Sequence, residues 1–174
     1  MPLLLKRELG NKLSISNYLI TVILALAPIS ELRGAIPYAY AQGIPLLEAA
    51  LIGTLINIAV SPIAYLFLTF IHNIFYSRFN WYIRLFDRTV ERTRERLHDK
   101  VHSYGWVGIM LFVAVPLPIT GAWTGTLGAW IFGLEKRKSI LAVSLGVIIA
   151  GIIVTLLLYV GVSATSIFIK RITI

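Results

Sequence analysis

The sequence predicts an all-α integral membrane protein. The expected plan is two inverted repeats, each a re-entrant helical hairpin plus a transmembrane helix, joined by a cytoplasmic amphipathic helix. Three observations carry that expectation. The 174 residues are 57% hydrophobic and 14% charged, with mean hydropathy +0.81, whereas soluble domains run near a quarter charged. Two apolar tracts, residues 46–71 and 140–169, are long enough to cross a hydrocarbon core of ~30 Å. Each follows two shorter apolar arms separated by a break rich in proline and glycine.

Length and composition suit one membrane domain over residues 1–174. Repeat one covers about 15–75, the connector 76–103 and repeat two about 104–170. Sixteen Lys and Arg against eight Asp and Glu give a net charge of +8. In loops between apolar segments that surplus fits the positive-inside rule and anionic lipid headgroups, so no nucleic-acid partner is expected. There is no cysteine, which excludes disulfides and thiolate metal sites. The opening MPLLLKRELGNKLS lacks the order of a cleaved signal peptide. Insertion into the cell membrane is therefore expected to use the internal, multi-pass segments.

The first arm, residues 15–27, would reach only ~20 Å and cannot cross alone. Beyond it lies PISELRGAIPYAYAQGIP, residues 28–45, with Glu31 and Arg33 inside an apolar tract. A charge at bilayer depth costs about 2.5–3.5 kcal/mol on insertion scales and faces protein or a wet cavity where it occurs. Irregular backbone at that depth needs protein or water to satisfy it. The stretch is thus either a loop outside the membrane or the tip of a re-entrant hairpin. The short second arm, residues 36–41, favours the hairpin, with Pro28, Gly34 and Pro37 shaping its tip.

The first span, residues 46–71, carries Asn57 and Ser61 inside it, and Pro62 predicts a kink. From residue 78 to 100 the character changes. Arg84, Arg88, Arg92, Arg96 and Lys100 recur every four residues, and Asp87, Glu91, Glu95 and Asp99 follow three behind. Such i,i+3 pairs with an apolar stripe predict a water-exposed amphipathic connector. The second hairpin repeats the plan, with arms around VPLPITGAWTGTLGAW at residues 115–130 and a tip formed by Pro116, Pro118 and Gly121. Trp123 and Trp130 read as interface anchors. A charged stop at 135–138 precedes the last span, whose Gly146, Gly151 and Gly161 suit close packing.

A shift of 87 residues places Gly34-Ala35 on Gly121-Ala122 and Leu47-Glu48 on Leu134-Glu135. Identities are few, and the repeated order of elements carries more weight. Ten of the sixteen basic residues fall between 78 and 138 and five near the termini. That bias puts the connector in the cytoplasm and both termini outside, unless the N-terminal segment itself crosses.

Glu31 and Arg33 are the candidate chemistry. A carboxyl that loses water holds its proton more tightly, and a neighbouring guanidinium favours the charged form, which makes Glu31 the candidate proton carrier. Arg33 stays charged and presents a planar fork suited to phosphate or carboxylate. Thr120, Thr124 and Asn57 offer neutral polar groups, so the expected substrate-binding set is Arg33, Glu31, Thr120, Thr124 and Asn57. A bland alternative is a charge pair that only ties the hairpin tip. No nucleophile with an acid/base partner converges at membrane depth, and His72, His98 and His102 lie at or beyond segment ends. No enzymatic activity, cofactor or metal site is expected.

The ELRGAIP motif at Glu31–Pro37, followed by a span and a second Pro-x-Pro-x-Thr-Gly hairpin at Pro116–Gly121, resembles the small multidrug export protein family. That family is similar to the DedA (SNARE-associated, VTT) membrane protein superfamily. The resemblance covers residues 17–165 and implies facing re-entrant hairpins, with an acidic and a basic residue at the first tip. It also implies lipid translocation coupled to an ion gradient. The chain lacks a clear second arginine at its second hairpin, where DedA members often carry one. The expectation is a transporter or flippase for an anionic lipid-like substrate, polyprenyl-phosphate or phospholipid. The alternatives are an exporter of small cationic drugs, with Glu31 as counter-ion, and a non-transporting scaffold. Membrane lipids are the expected partners, and the Gly-spaced last span and charged helix would suit a homodimer.

Overall fold

The computed structural model describes residues 3–91, 105–118 and 120–172, and every regular element among them is helical. In chain order these are α1 (Leu3–Leu26), α2 (Glu31–Ala41), α3 (Leu46–Arg78) and α4 (Asn80–Phe86), which runs into a π-helical turn at Asp87–Glu91. They continue with α5 (Gly105–Ala114), α6 (Ala122–Ile131) and α7 (Lys136–Ile172).

Several boundaries differ from the sequence expectation. The first arm is the end of a longer helix, since α1 begins at Leu3. The second arm begins at Glu31 and not at residue 36, so Pro37 sits inside α2 and the tip is only residues 27–30. Proline in that interior position removes one helical hydrogen bond, the one its N–H would have donated to the Arg33 carbonyl. Helix α3 runs unbroken through Pro62 to Arg78. The cluster Lys136-Arg-Lys138 opens α7 and does not stop it. Cations at a helix N-terminus oppose its dipole, and Glu135 offsets this by pairing with Lys138 at 3.4 Å.

Only the start of the striped connector is described. Arg84 Nε donates to the Asn80 carbonyl at 3.4 Å, and Asp87 accepts from the Tyr76 hydroxyl at 3.3 Å. The expected Arg84–Asp87 pair is not among the ion pairs of the described residues. Arg92, Arg96, Asp99, Lys100, His98 and His102 lie outside the described residues.

Two helices, α3 and α7, are long and apolar enough to cross a membrane. A core helix of a soluble protein passes the same test but is mostly buried. In the most apolar windows of these two helices only 28% and 39% of residues are buried. Side chains such as Leu51, Leu55, Leu66, Ile152 and Leu156 point outward. Outward-facing aliphatic surface of this kind is what lipid tails cover.

By contacts the chain divides into two compact units, Met1–Asn57 with Gly151–Ile174, and Ile58–Ala150. In the first, α1 packs on α2, and α2 packs on α3 where Gly53 meets Ile36. A Cβ added at Gly53 would lie 2.7 Å from Ile36 Cγ1. Gly151 of α7 lies against the Thr54 side chain. In the second unit α6 and α7 press on α5: Gly125 sits against Val113, and a Cβ on Gly146 would lie 2.6 Å from the Met110 carbonyl oxygen. Gly146 and Gly151 thus mark close approaches, whereas a Cβ on Gly161 would meet no described atom within 4 Å.

The second unit also holds an aromatic cluster. The His72 ring stands 4.4 Å from Phe86, 5.2 Å from both Tyr76 and Trp130, and 5.8 Å from Tyr82, centroid to centroid. Its Nδ1 is 3.1 Å from the Tyr82 hydroxyl. Trp130, read from the sequence as an interface anchor, is edge-on to both His72 and Phe86. Burial pushes the Tyr82 phenol above its ordinary 10.0, so folding favours the neutral hydroxyl. That contribution is complete below pH 10 and is lost as pH rises through the folded-state value. Near-ultraviolet circular dichroism is expected to show the cluster loosening above pH 10 in wild type and a flatter alkaline limb in Tyr82→Phe.

The repeat lies in burial more than in residue identity. Helices α2 and α6 end in the same cap. Gly43 (φ 87°) donates to the Tyr40 carbonyl and Ile44 to that of Ala39; Gly133 (φ 72°) and Leu134 do the same to Trp130 and Ala129. These left-handed glycines are the usual way to satisfy terminal carbonyls. From there the offset is 90 residues, Gly43 to Gly133. Every buried residue between 31 and 64 has a buried counterpart 90 positions later. In the first arms the offset is 88, with Thr21 and Ala25 matching Ile109 and Val113. The second break, residues 115–121, is longer than the first, which moves the register. The single shift of 87 read from the sequence is corrected to these two values.

Candidate functional site

The site is built where α1 stops. Its last carbonyls have no helical partners, and side chains take them up. The Ser30 hydroxyl donates to the Leu24 carbonyl, and Asn57 Nδ2, arriving from α3, donates to that of Ala25 at 2.8 Å. The Glu31 and Gly34 amides donate to the Ala27 and Ser30 carbonyls, each at 3.0 Å. Gly34 is needed for closeness, since a Cβ there would lie 2.7 Å from Ser30 Cβ. Pro28 lies in the break itself.

The chain enters α2 through Glu31 at φ 49°. Left-handed backbone costs a residue with a side chain about 1–2 kcal/mol, and such strain persists where surrounding structure holds it. Here it turns the carboxylate inward: Glu31 is 3% exposed. Arg33, two residues on, brings Nη2 to 3.6 Å from Glu31 Oε2, with 17% of its side chain exposed. In a regular helix residues two apart do not share a face; the left-handed entry lets these two converge. Arg33 Nη1 is buried without a hydrogen-bond partner, and so is Asn57 Oδ1. Pro37 has no N–H, so the Arg33 carbonyl also lacks its i+4 donor.

The second tip is made differently. Thr120 closes it on itself: its hydroxyl accepts the Leu117 amide at 3.0 Å and lies within donating distance of the Val115 and Leu117 carbonyls, the latter at 3.1 Å. The Thr124 hydroxyl is 3.5 Å from the Gly121 carbonyl. Pro116 and Pro118 lie in the break and Gly121 precedes α6 as its cap. Thr126, not singled out from the sequence, is fully buried. Its hydroxyl donates to the Ala122 carbonyl at 2.6 Å and lies 3.3 Å from the Ser61 hydroxyl.

Of the predicted substrate-binding residues, Glu31 and Arg33 pair just after the first break, and Asn57 bonds to Ala25 just before it. Thr120 and Thr124 belong to the second unit and engage their own turn. At the offset of 90, Glu31, Arg33 and Asn57 correspond to Gly121, Trp123 and Val147. The polar set exists in the first copy alone. Sequence reasoning missed Ser30, although a serine before a helix start is an N-cap signal. It makes no cap bond to α2 and serves α1 instead.

A family model described as "Putative small multi-drug export protein" matches residues 31–153. The match opens at Glu31, directly after the first tip, and takes in the second. No curated protein and no solved structure matches the chain.

Proposed function

The chain belongs to the small multi-drug export protein family, and from that premise we propose that it is a multi-pass transporter moving an anionic, lipid-like amphipath. The observation that carries this reading is the buried Arg33 guanidinium, with Nη1 unpaired in the described structure beside a strained, buried Glu31. A planar fork held in apolar surroundings suits a phosphate or carboxylate headgroup. Glu31 would take up and release a proton as the headgroup arrives and leaves. Each helix–break–helix unit reads as a re-entrant hairpin followed by one crossing, which makes the two repeats inverted. Ile29, 89% exposed at the first tip, supports a tip that meets lipid or protein and not water. Kinship with the DedA superfamily, and a polyprenyl-phosphate or phospholipid substrate, belong to the same proposal.

The test is reconstitution in liposomes carrying fluorescent lipids. Wild type is expected to flip an anionic phospholipid at a rate that depends on pH. In Arg33→Ala the rate should fall to background, and Arg33→Lys, which keeps the charge but not the fork, should fall between. Equal rates in wild type and Arg33→Ala would count against the proposal. A second reading, export of small cationic drugs, is favoured by the family description and by the buried carboxylate of Glu31. Uptake of a cationic dye into inverted vesicles, lost in Glu31→Gln but kept in Arg33→Ala, would select it.

A further inference from the structure

We propose that the headgroup recognised at the first tip must carry a hydrogen-bond donor beside its anionic oxygens, and that Asn57 reads that donor. The inference rests on the transport reading above and adds the chemical class of the substrate. Asn57 is fully buried. Its amide orientation is fixed, because only the NH2 end can donate to the Ala25 carbonyl 2.8 Å away. The atom left over is Oδ1, an acceptor, buried and without a partner. Arg33 Nη1 is the complementary case, a buried donor without an acceptor.

Both groups lie beside the same break, Arg33 in the first turn of α2 and Asn57 bonded to Ala25. Helices α2 and α3 are joined by residues 42–45, so α3 begins close to where α2 ends. Ile36 and Gly53 are opposite each other. One turn from Ile36 toward the tip reaches Leu32 and Arg33, and one turn from Gly53 along α3 reaches Asn57. The bond from Asn57 to Ala25, next to the break, places it at the same end independently.

Burying a donor and an acceptor without partners is costly. A single ligand with an acceptor for Arg33 and a donor for Asn57 satisfies both. A phosphodiester bearing a hydroxyl or ammonium group meets that description. A phosphodiester of the same charge without an O–H or N–H leaves Oδ1 unpaired and is disfavoured, as buried polar sites reject analogues that lack the matching group.

The experiment compares fluorescent phosphatidylglycerol with fluorescent phosphatidylmethanol in the reconstituted full-length chain. Both are anionic diesters, and only the first carries headgroup hydroxyls. Wild type should flip phosphatidylglycerol faster by on the order of tenfold, the worth of one buried hydrogen bond. In Asn57→Leu that ratio should collapse toward one. Phosphatidylethanolamine against phosphatidylcholine, alike in net charge but with and without N–H donors, should show the same bias in wild type. Equal, Arg33-dependent flipping of both anionic lipids would overturn the role of the donor while leaving the transport reading standing. A ratio kept in Asn57→Leu would remove Asn57 from it. If neither lipid moves, the transport reading fails and this inference with it. The wild-type comparison decides the point even where Asn57→Leu does not fold.

Discussion

Glu31→Ala is expected to destabilise the protein by about 3–5 kcal/mol, the range for removing one partner of a buried ion pair. The carboxylate is 3% exposed and stands 3.6 Å from Arg33. Its loss leaves a mostly buried guanidinium without that counter-charge, while the alanine still occupies the left-handed conformation at φ 49°. Two further variants separate these causes. Glu31→Gly removes the same carboxylate but is at ease at positive φ, so it should recover about 1 kcal/mol relative to alanine. The double variant Glu31→Ala/Arg33→Met removes the stranded charge and should be more stable than Glu31→Ala alone. Thermal unfolding in detergent gives the order. If Glu31→Gly proved less stable than Glu31→Ala, the strained turn would not be present. If the double variant were the least stable, the pair would not be what holds the tip.

The second large effect is expected at Gly146. A methyl group there would lie 2.6 Å from the Met110 carbonyl oxygen and 2.7 Å from Val113 Cβ. Both obstacles are on or next to the α5 backbone, so the helices must separate. Overpacking of this kind costs about 1–3 kcal/mol, more than the gain of about 1 kcal/mol that alanine brings to a helix interior. Gly146→Ala should therefore destabilise, and Gly146→Leu should do so severely. Gly108 is the control, since a Cβ there would meet nothing within 4 Å. Gly108→Ala should be neutral or slightly stabilising. A matching gain at both positions would mean that α5 and α7 do not approach as described.

Much of this was legible in the residues. Charges two apart inside an apolar tract, ringed by proline and glycine, marked the first tip, and the Glu31–Arg33 pair is there. Chain length and hydropathy marked α3 and α7. Other features were not legible, for identifiable reasons. The register of the repeat was hidden because buried positions recur while their residues change: Ile36 answers to Thr126, Asn57 to Val147, and Ser61 to Gly151. A small or polar residue can fill a buried place when its partner differs in size, so matching letters misses the match in packing. The inward turn at Glu31 was invisible because positive φ is a glycine signal, and glutamate carries none. The bond from Asn57 to Ala25 joins residues 32 apart, and the His72–Trp130 contact joins α3 to α6. Neither separation has a period to betray it. Thr120 looked like lining because threonine is polar, yet its hydroxyl serves the turn that contains it.

The shared burial pattern of the two copies has a consequence for how such a molecule can change. One burial pattern, met twice, holds a largely buried ion pair in its first occurrence alone among the described residues. The buried positions of residues 121–154 answer to fit, and drift at them is limited by volume. Residues 31–64 must satisfy fit and the Glu31–Arg33 pair together. Change in polar chemistry would then fall on Glu31, Arg33 and Asn57 of the constrained half, while the other half preserves the frame.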